Sequence, residues 1–299
     1  MDILPLSSPL GAEVKNIILR NPLSADVVKT LEKALANYGV LIFHQQHLTE
    51  NEQVEFSKHF GDNKNSNILR EESPIDKPTD KVVHRGKQDY VEYWTDGPTF
   101  GNLSFTEGHP YWPLSKFHTD LSYAEKPLQY TILGAIETPQ VGGETEFVDM
   151  KNAYETLAPE IKHKLYNRNA LHNAPELGFS ELMPHPIIAS NPVNNQNVLY
   201  VNKLFTRAIE GEEESQELLL SLFDHIDNCP ARFKFKWRDG DVIVWDNMRV
   251  VHRRCPYPKD QPRILRRTQG KRIEILAGSD NTLVDKRGRT KVSDALQNA

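Results

Sequence analysis

Cysteine is scarce, with only Cys229 and Cys255 among 299 residues. That excludes a disulfide-stapled secreted scaffold, and two isolated thiols cannot make a zinc ribbon. Positive charge is also in short supply. Lys and Arg number 36 against 41 Asp and Glu, a net charge of −5, so the basic field of a non-specific nucleic-acid binder is missing. Long apolar runs are missing too. Val40–Phe43 and Val242–Trp245 are strand-sized, far short of the roughly 20 residues of a membrane span. The first residues carry no basic start leading into an apolar core, which predicts no secretory signal. Sixteen Gly and 19 Pro are too few for a fibrous or low-complexity chain, and 38% hydrophobic residues exclude wholesale disorder. These absences leave a reduced, cytoplasmic, globular protein of enzyme size. Its expected partner is a small molecule, with no nucleic acid and no membrane; a homo-oligomer is left open.

Helix signals dominate the start of the chain. Ser24 is placed to cap a helix whose face is Val27, Val28, Leu31 and Leu35, ending near Gly39. Val40–Phe43 reads as a buried strand. Thr49 and Glu52 have capping-box spacing and open a second helix expected to run through Phe60 to Gly61. From Asp62 to Phe117 the sequence is irregular, polar and aromatic, with five prolines; an interval of that length is expected to be functional.

Beyond it the period turns towards two. Tyr130–Ile136 and Thr145–Val148 read as a strand and its return around Gly142-Gly143. Arg232–Trp237 and Asp241–Trp245 read as a hairpin across Asp239-Gly240. One helix is expected around Ala153–Tyr166 and another over Glu213–Ile226. Strands are expected at Val198–Val201 and Ile264–Ile275, before a polar tail from Gly278. No repeat or linker divides the chain, so the pattern predicts a single strand-rich barrel or sandwich with flanking helices.

His118-Thr-Asp120 carries the chemistry. On a strand, residues i and i+2 share a side, so an imidazole and a carboxylate can converge on one metal ion. A remote histidine would complete a 2-His-1-carboxylate face with open coordination positions. The candidate is His252, in Trp245-Asp-Asn-Met-Arg-Val-Val-His252. A second H-x-D, His225-Ile-Asp227, falls in a predicted helix, where i and i+2 diverge; it reads as surface. Arg263 and Arg267 lie eleven and fifteen residues after His252 and share a face if the stretch is extended. Their guanidinium forks suit a dicarboxylate. Arg266 should point away, as a solvated strand edge.

Together these stretches resemble the TauD/TfdA family of Fe(II)/2-oxoglutarate-dependent dioxygenases, related to taurine and 2,4-dichlorophenoxyacetate dioxygenases. The resemblance covers about Val40–Thr268 and runs through Phe117–Asp120, Pro139–Thr145, Leu199–Asn202, Gly240–Asn247, His252 and Arg263–Thr268. It implies a double-stranded β-helix (a jelly-roll, cupin-like core) in one domain spanning 1–299. In it, 62–117 is a long irregular segment near the active site and 278–299 a polar tail. It implies Fe(II) bound by His118, Asp120 and His252. Thr145 and Arg263 would hold the far carboxylate of 2-oxoglutarate, with Arg267 beside the metal-chelating end and the substrate anion.

Phe117, Phe205, Arg267, His84 and Asn102 are the substrate-binding candidates. The implied reaction uses O2 and 2-oxoglutarate to hydroxylate or desaturate a C–H bond of a small anionic substrate, releasing succinate and CO2. Departures from the family pattern fall at Phe117, where tryptophan is usual, and at Met248, where arginine is usual and Arg249 stands one residue later. Read from residues alone, a zinc hydrolase using the same three ligands and a non-catalytic cupin-like binding module remain open.

Overall fold

Local signals set the first elements. β1 (Asp2–Pro5) and β2 (Ala12–Lys15) precede α1 (Ala25–Tyr38), where the Ser24 hydroxyl accepts from Val27 N–H and Gly39 closes the helix on Leu35 O. The expected strand is β3 (Val40–Phe43). The Thr49–Glu52 capping box forms, but α2 (Glu50–Lys58) ends at His59, before Phe60. This computed structural model describes residues 1–61, 83–85, 92–95, 116–175, 178–211, 215–258 and 261–279. Two strands, β4 (Val83–Arg85) and β5 (Glu92–Thr95), lie within the interval expected to be irregular.

The remaining strands follow in order. They are β6 (Tyr130–Glu137), β7 (Thr145–Asp149), β8 (Asn169–Ala174), β9 (Phe179–Pro186), β10 (Ile188–Ser190), β11 (Asn197–Leu199), β12 (Thr206–Ile209), β13 (Arg232–Phe235), β14 (Val242–Asp246), β15 (Val250–Arg254), β16 (Ile264–Gln269) and β17 (Leu276–Ala277). The helix expected over Ala153–Tyr166 is two, α3 (Met150–Glu155) and α4 (Pro159–Leu165). Pro159 sits at the start of α4, where its missing N–H costs nothing. The helix α5 (Ser215–Asp227) matches expectation. The strand expected to reach Ile275 stops at Gln269.

An eight-stranded sheet runs β1-β2-β3-β14-β6-β16-β5-β4, and a three-stranded sheet runs β13-β7-β15. Both hairpin expectations fail in the same way. β6 pairs with β14 and β16, while β7 pairs with β13 and β15; β13 and β14 likewise join different sheets. The Gly-Gly and Asp-Gly turns are therefore corners between sheets. At the second corner Gly240 has φ +83°, and a side chain there would collide with the His47 ring. Turn chemistry specifies the reversal, not which strand receives the hydrogen bonds.

Strand β14 shows how the layers pack. Val242 and Val244 face α1 and α2, joining Leu31, Leu35, Phe56 and Phe60 in one cluster. Ile243 and Trp245 face the small sheet and pack with Phe147, Phe235 and Leu265. Burial on both faces accounts for the unbroken apolar run Val242–Trp245. Arg249, displaced by one from the family's arginine position, is buried and donates from Nε and NH2 to the two Asp149 oxygens at 2.7 and 2.9 Å. A third donation, to Ala36 O at 2.9 Å, ties the end of α1 to the start of α3. Met248 lies in the core.

Candidate metal centre

His252 lies on β15, and His118 pairs with it through an isolated antiparallel bridge. Each backbone N–H donates to the other's carbonyl, at 3.0 and 2.9 Å. This brings the two imidazole rings to 4.3 Å between centroids. The H-x-D segment is a bridge followed by a turn, not the expected strand. Asp120 is aimed by hydrogen bonds instead. Its N–H donates to Asn247 Oδ1 at 3.3 Å, and its Oδ2 accepts from Thr131 Oγ1 at 2.6 Å. The other oxygen, Oδ1, then faces both histidines, 3.9 Å from His118 Nε2 and 3.8 Å from His252 Nε2.

These side chains suit a divalent cation. His118 Nδ1 contacts Lys116 O at 3.0 Å, which places its proton on Nδ1 and leaves the Nε2 lone pair towards Asp120. Burial lowers the basicity of His118, and it pushes His252 down to about 3 with further repulsion from His118 and Arg267. Both rings are therefore neutral, the form that binds metals. Burial by itself would raise the Asp120 carboxyl, but His252 and Arg267, then His118 and the Thr131 hydrogen bond, outweigh it as the site is acidified and hold the group below its usual range; with both rings neutral, Arg267 and Thr131 remain as the partners of its charge. Three electron-pair donors, all within 4.8 Å of one another and all buried, thus converge beyond hydrogen-bond reach. A cation bound among them would satisfy all three.

A cavity opens beside this cluster, walled by Leu133, Trp245 and Leu265 and carrying Thr145, Arg254, Arg263 and Arg267. Thr145 on β7 and the two arginines near and on β16 come from different sheets. Arg267 NH1 lies 3.6 Å from Asp120 Oδ1, so it stands next to the triad. Arg263 is further along and donates from Nε to Gly143 O at 2.9 Å. Arg266 does point the opposite way, but it is buried, not solvated as expected. It donates from Nε to Gln53 Oε1 at 2.9 Å and from NH2 to Leu48 O. The helix α2 covers that face, which a strand read alone does not reveal.

Phe117 does not line this cavity. It is buried in a separate core cluster, with the Arg253 and Arg232 guanidiniums 4.4 and 5.6 Å from its ring centre. Its side chain leaves the backbone opposite to that of His118, as neighbouring residues in extended chain do. Phe205 meets the His118 ring edge-on at 6.1 Å and packs on Tyr123 at 4.8 Å. His84 is a backbone partner of Tyr93 across β4 and β5, and its side chain lies outside the described residues, as does Asn102. His225 contacts Ala153 O and Thr156 Oγ1 at 2.9 and 3.1 Å, and Asp227 pairs with Lys203, so the second H-x-D takes no part in this site.

Sequence reasoning missed Thr131, Trp237 and Arg254. The Trp237 indole donates to Thr145 Oγ1 at 3.0 Å. Arg254 had a local signal, since it stands two residues after His252 on a strand and must share its face.

The sequence profile of the family described as "Taurine catabolism dioxygenase TauD, TfdA family" matches residues 2–269. An alpha-ketoglutarate-dependent 2,4-dichlorophenoxyacetate dioxygenase of Burkholderia sp. (strain RASC) is 28% identical, over 88% of this chain and 92% of its own. An alpha-ketoglutarate-dependent sulfate ester dioxygenase of Pseudomonas putida is 25% identical, over 89% and 88%. The crystal structure of a taurine dioxygenase from Burkholderia xenovorans superposes with a TM-score of 0.72 at 26% identity, covering 97% of this chain and 94% of that one. With nearly the whole described chain matched by one profile, this protein belongs to the TauD/TfdA dioxygenase family.

Proposed function

We propose that the chain is a non-haem Fe(II)- and 2-oxoglutarate-dependent dioxygenase that oxidises a C–H bond of a small organic anion. The observation that carries this reading is the buried His118–Asp120–His252 cluster opening on a cavity with three arginines. The family membership and the alpha-ketoglutarate dependence in the relatives' names support it. Two arginines dedicated to a dicarboxylate have no purpose in a zinc hydrolase.

His118, Asp120 and His252 would hold the iron, and Thr145 with Arg263 the far carboxylate of 2-oxoglutarate. With both groups bound, the iron supplies O2 activation coupled to decarboxylation of 2-oxoglutarate, giving succinate, CO2 and an oxidised C–H bond. The chain's own contribution is positioning. Thr131 turns one Asp120 oxygen away from the site, neutral histidines keep their lone pairs, and Leu133, Leu265 and Trp245 form an apolar wall that limits water. Arg267, 3.6 Å from Asp120, would face the metal-chelating carboxylate and a substrate anion together. The relatives named for phenoxyacetate and sulfate ester substrates support an anionic substrate.

The same reading covers the fold and its setting. An eight-stranded sheet facing a three-stranded one, with β6 and β7 and then β13 to β16 alternating between them, supports a double-stranded β-helix within one domain over 1–299. The unpaired, buried Cys229 and Cys255 support a reducing, cytoplasmic location. The test is anaerobic addition of Fe(II) and 2-oxoglutarate, which should give a weak visible charge-transfer band. Succinate release is then screened across sulfonates, sulfate esters and aryloxy acids. A colourless mixture with no succinate from any substrate would reject the proposal.

A further inference from the structure

We infer that Arg254 is a second cation for the far carboxylate of the co-substrate; the inference rests on the dioxygenase reading above. Three observations carry it. Arg254 lines the same cavity as the metal cluster, two residues beyond His252 on β15. In the β15–β7 ladder Arg254 stands directly opposite Thr145, and directly opposed residues on one face keep their Cβ atoms roughly 5 Å apart. Finally, the Arg254 and Arg263 guanidiniums lie at 5.8 and 6.0 Å from the centre of one ring, Tyr257. Arg254 at the end of β15 and Arg263 just before β16 thus approach the Thr145 end of the cavity from two different segments.

Donor geometry at that end favours a dianion. The Trp237 indole donates to Thr145 Oγ1, which occupies a lone pair and leaves the Thr145 hydroxyl proton to donate onwards. A carboxylate between Thr145 and two guanidiniums would be bound by charge-assisted hydrogen bonds on several sides. A monocarboxylic 2-oxo acid has no carboxylate at that end and would forgo those charge-assisted bonds. Arg254 therefore serves both affinity and discrimination between dicarboxylic and monocarboxylic 2-oxo acids.

The experiment is anaerobic calorimetric titration of the Mn(II)-loaded protein with 2-oxoglutarate and with 2-oxobutyrate. It compares wild type, Arg254→Met, Arg254→Lys and Arg263→Met. Arg254→Met should weaken 2-oxoglutarate binding about tenfold, as expected for a lost charge-assisted bond, while leaving 2-oxobutyrate binding unchanged. Arg254→Lys, which keeps the charge, should fall between. Unchanged 2-oxoglutarate affinity in Arg254→Met, beside a loss in Arg263→Met, would overturn this inference and leave the dioxygenase reading standing. An equal loss for both ligands would overturn it too, since that marks a general packing role. Wild-type protein that binds no 2-oxoglutarate would overturn the reading and the inference together.

Discussion

Thr131 Oγ1 donates to Asp120 Oδ2 at 2.6 Å, and the direction of that bond is set by Asn247 and Trp245, far away in sequence. Asn247 Oδ1 accepts from Trp245 Nε1 at 3.0 Å and from Asp120 N–H at 3.3 Å. The Asn247 amide nitrogen must then be the donor to Thr131 Oγ1, at 2.9 Å, which leaves the threonine proton for Asp120. The Trp245-Asp-Asn247 run thus orients a carboxylate on a distant segment. Bonds of this kind behind a metal ligand are typically worth 10–100-fold in metal affinity. Thr131→Val should weaken Mn(II) or Co(II) binding by about that factor, and Thr131→Ser should recover most of it. Equal metal affinity in Thr131→Val, by titration, would contradict the role.

The triad variants should lose turnover without losing the fold. His118→Ala, Asp120→Ala and His252→Ala are each expected to release no succinate and to retain little iron. His225→Ala should behave like wild type, because the His225 ring hydrogen-bonds to Ala153 O and Thr156 Oγ1 and lines neither the triad nor its cavity.

Arg266→Lys and Arg267→Lys should have opposite phenotypes. Arg266 satisfies a buried glutamine oxygen and a helix-proximal carbonyl, so losing its fork should cost about 1–3 kcal/mol of stability and leave substrate KM unchanged. Arg267→Lys should raise substrate KM with little change in Tm. Melting curves and initial rates on the two variants separate these outcomes.

Arg263→Ala should weaken 2-oxoglutarate binding by roughly ten- to a hundredfold, as for a lost bond to a charged group of about 1.5–3 kcal/mol. The substrate KM should move less. A co-substrate titration at saturating substrate measures it.

Stability should fall in mild acid, partly through His172. This ring is fully buried, and burial, with repulsion from His185 and Arg207, holds its pKa well below 6.5. Below pH 6.5 the unfolded chain takes up a proton at this residue and the folded chain does not, so the stability present above 6.5 is lost as pH falls. One such group contributes a slope of about 1.4 kcal/mol per pH unit. His172→Asn should show a shallower loss between pH 6.5 and 5 in urea unfolding; an identical slope would exclude His172 as a contributor.

Local chemistry in the sequence determined where α1 and α2 begin, the apolar strand at Val242–Trp245, and the His118-Thr-Asp120 pair proposed to hold the metal, because caps, apolar runs and H-x-D are written within a few residues. The hydrogen-bonding edge of a strand carries no such address. Two turns that read as hairpins became corners between sheets because β7 and β14 found partners far away in sequence, and only that exchange brings Thr145 and His252 opposite Arg263 and Arg267. The same distance hid Arg266 beneath α2, turned Phe117 into the core, and set Arg254 beside Thr145. Side-chain types decided what chemistry was available; strand pairing, driven by burial on both faces of the large sheet, decided which side chains share the cavity.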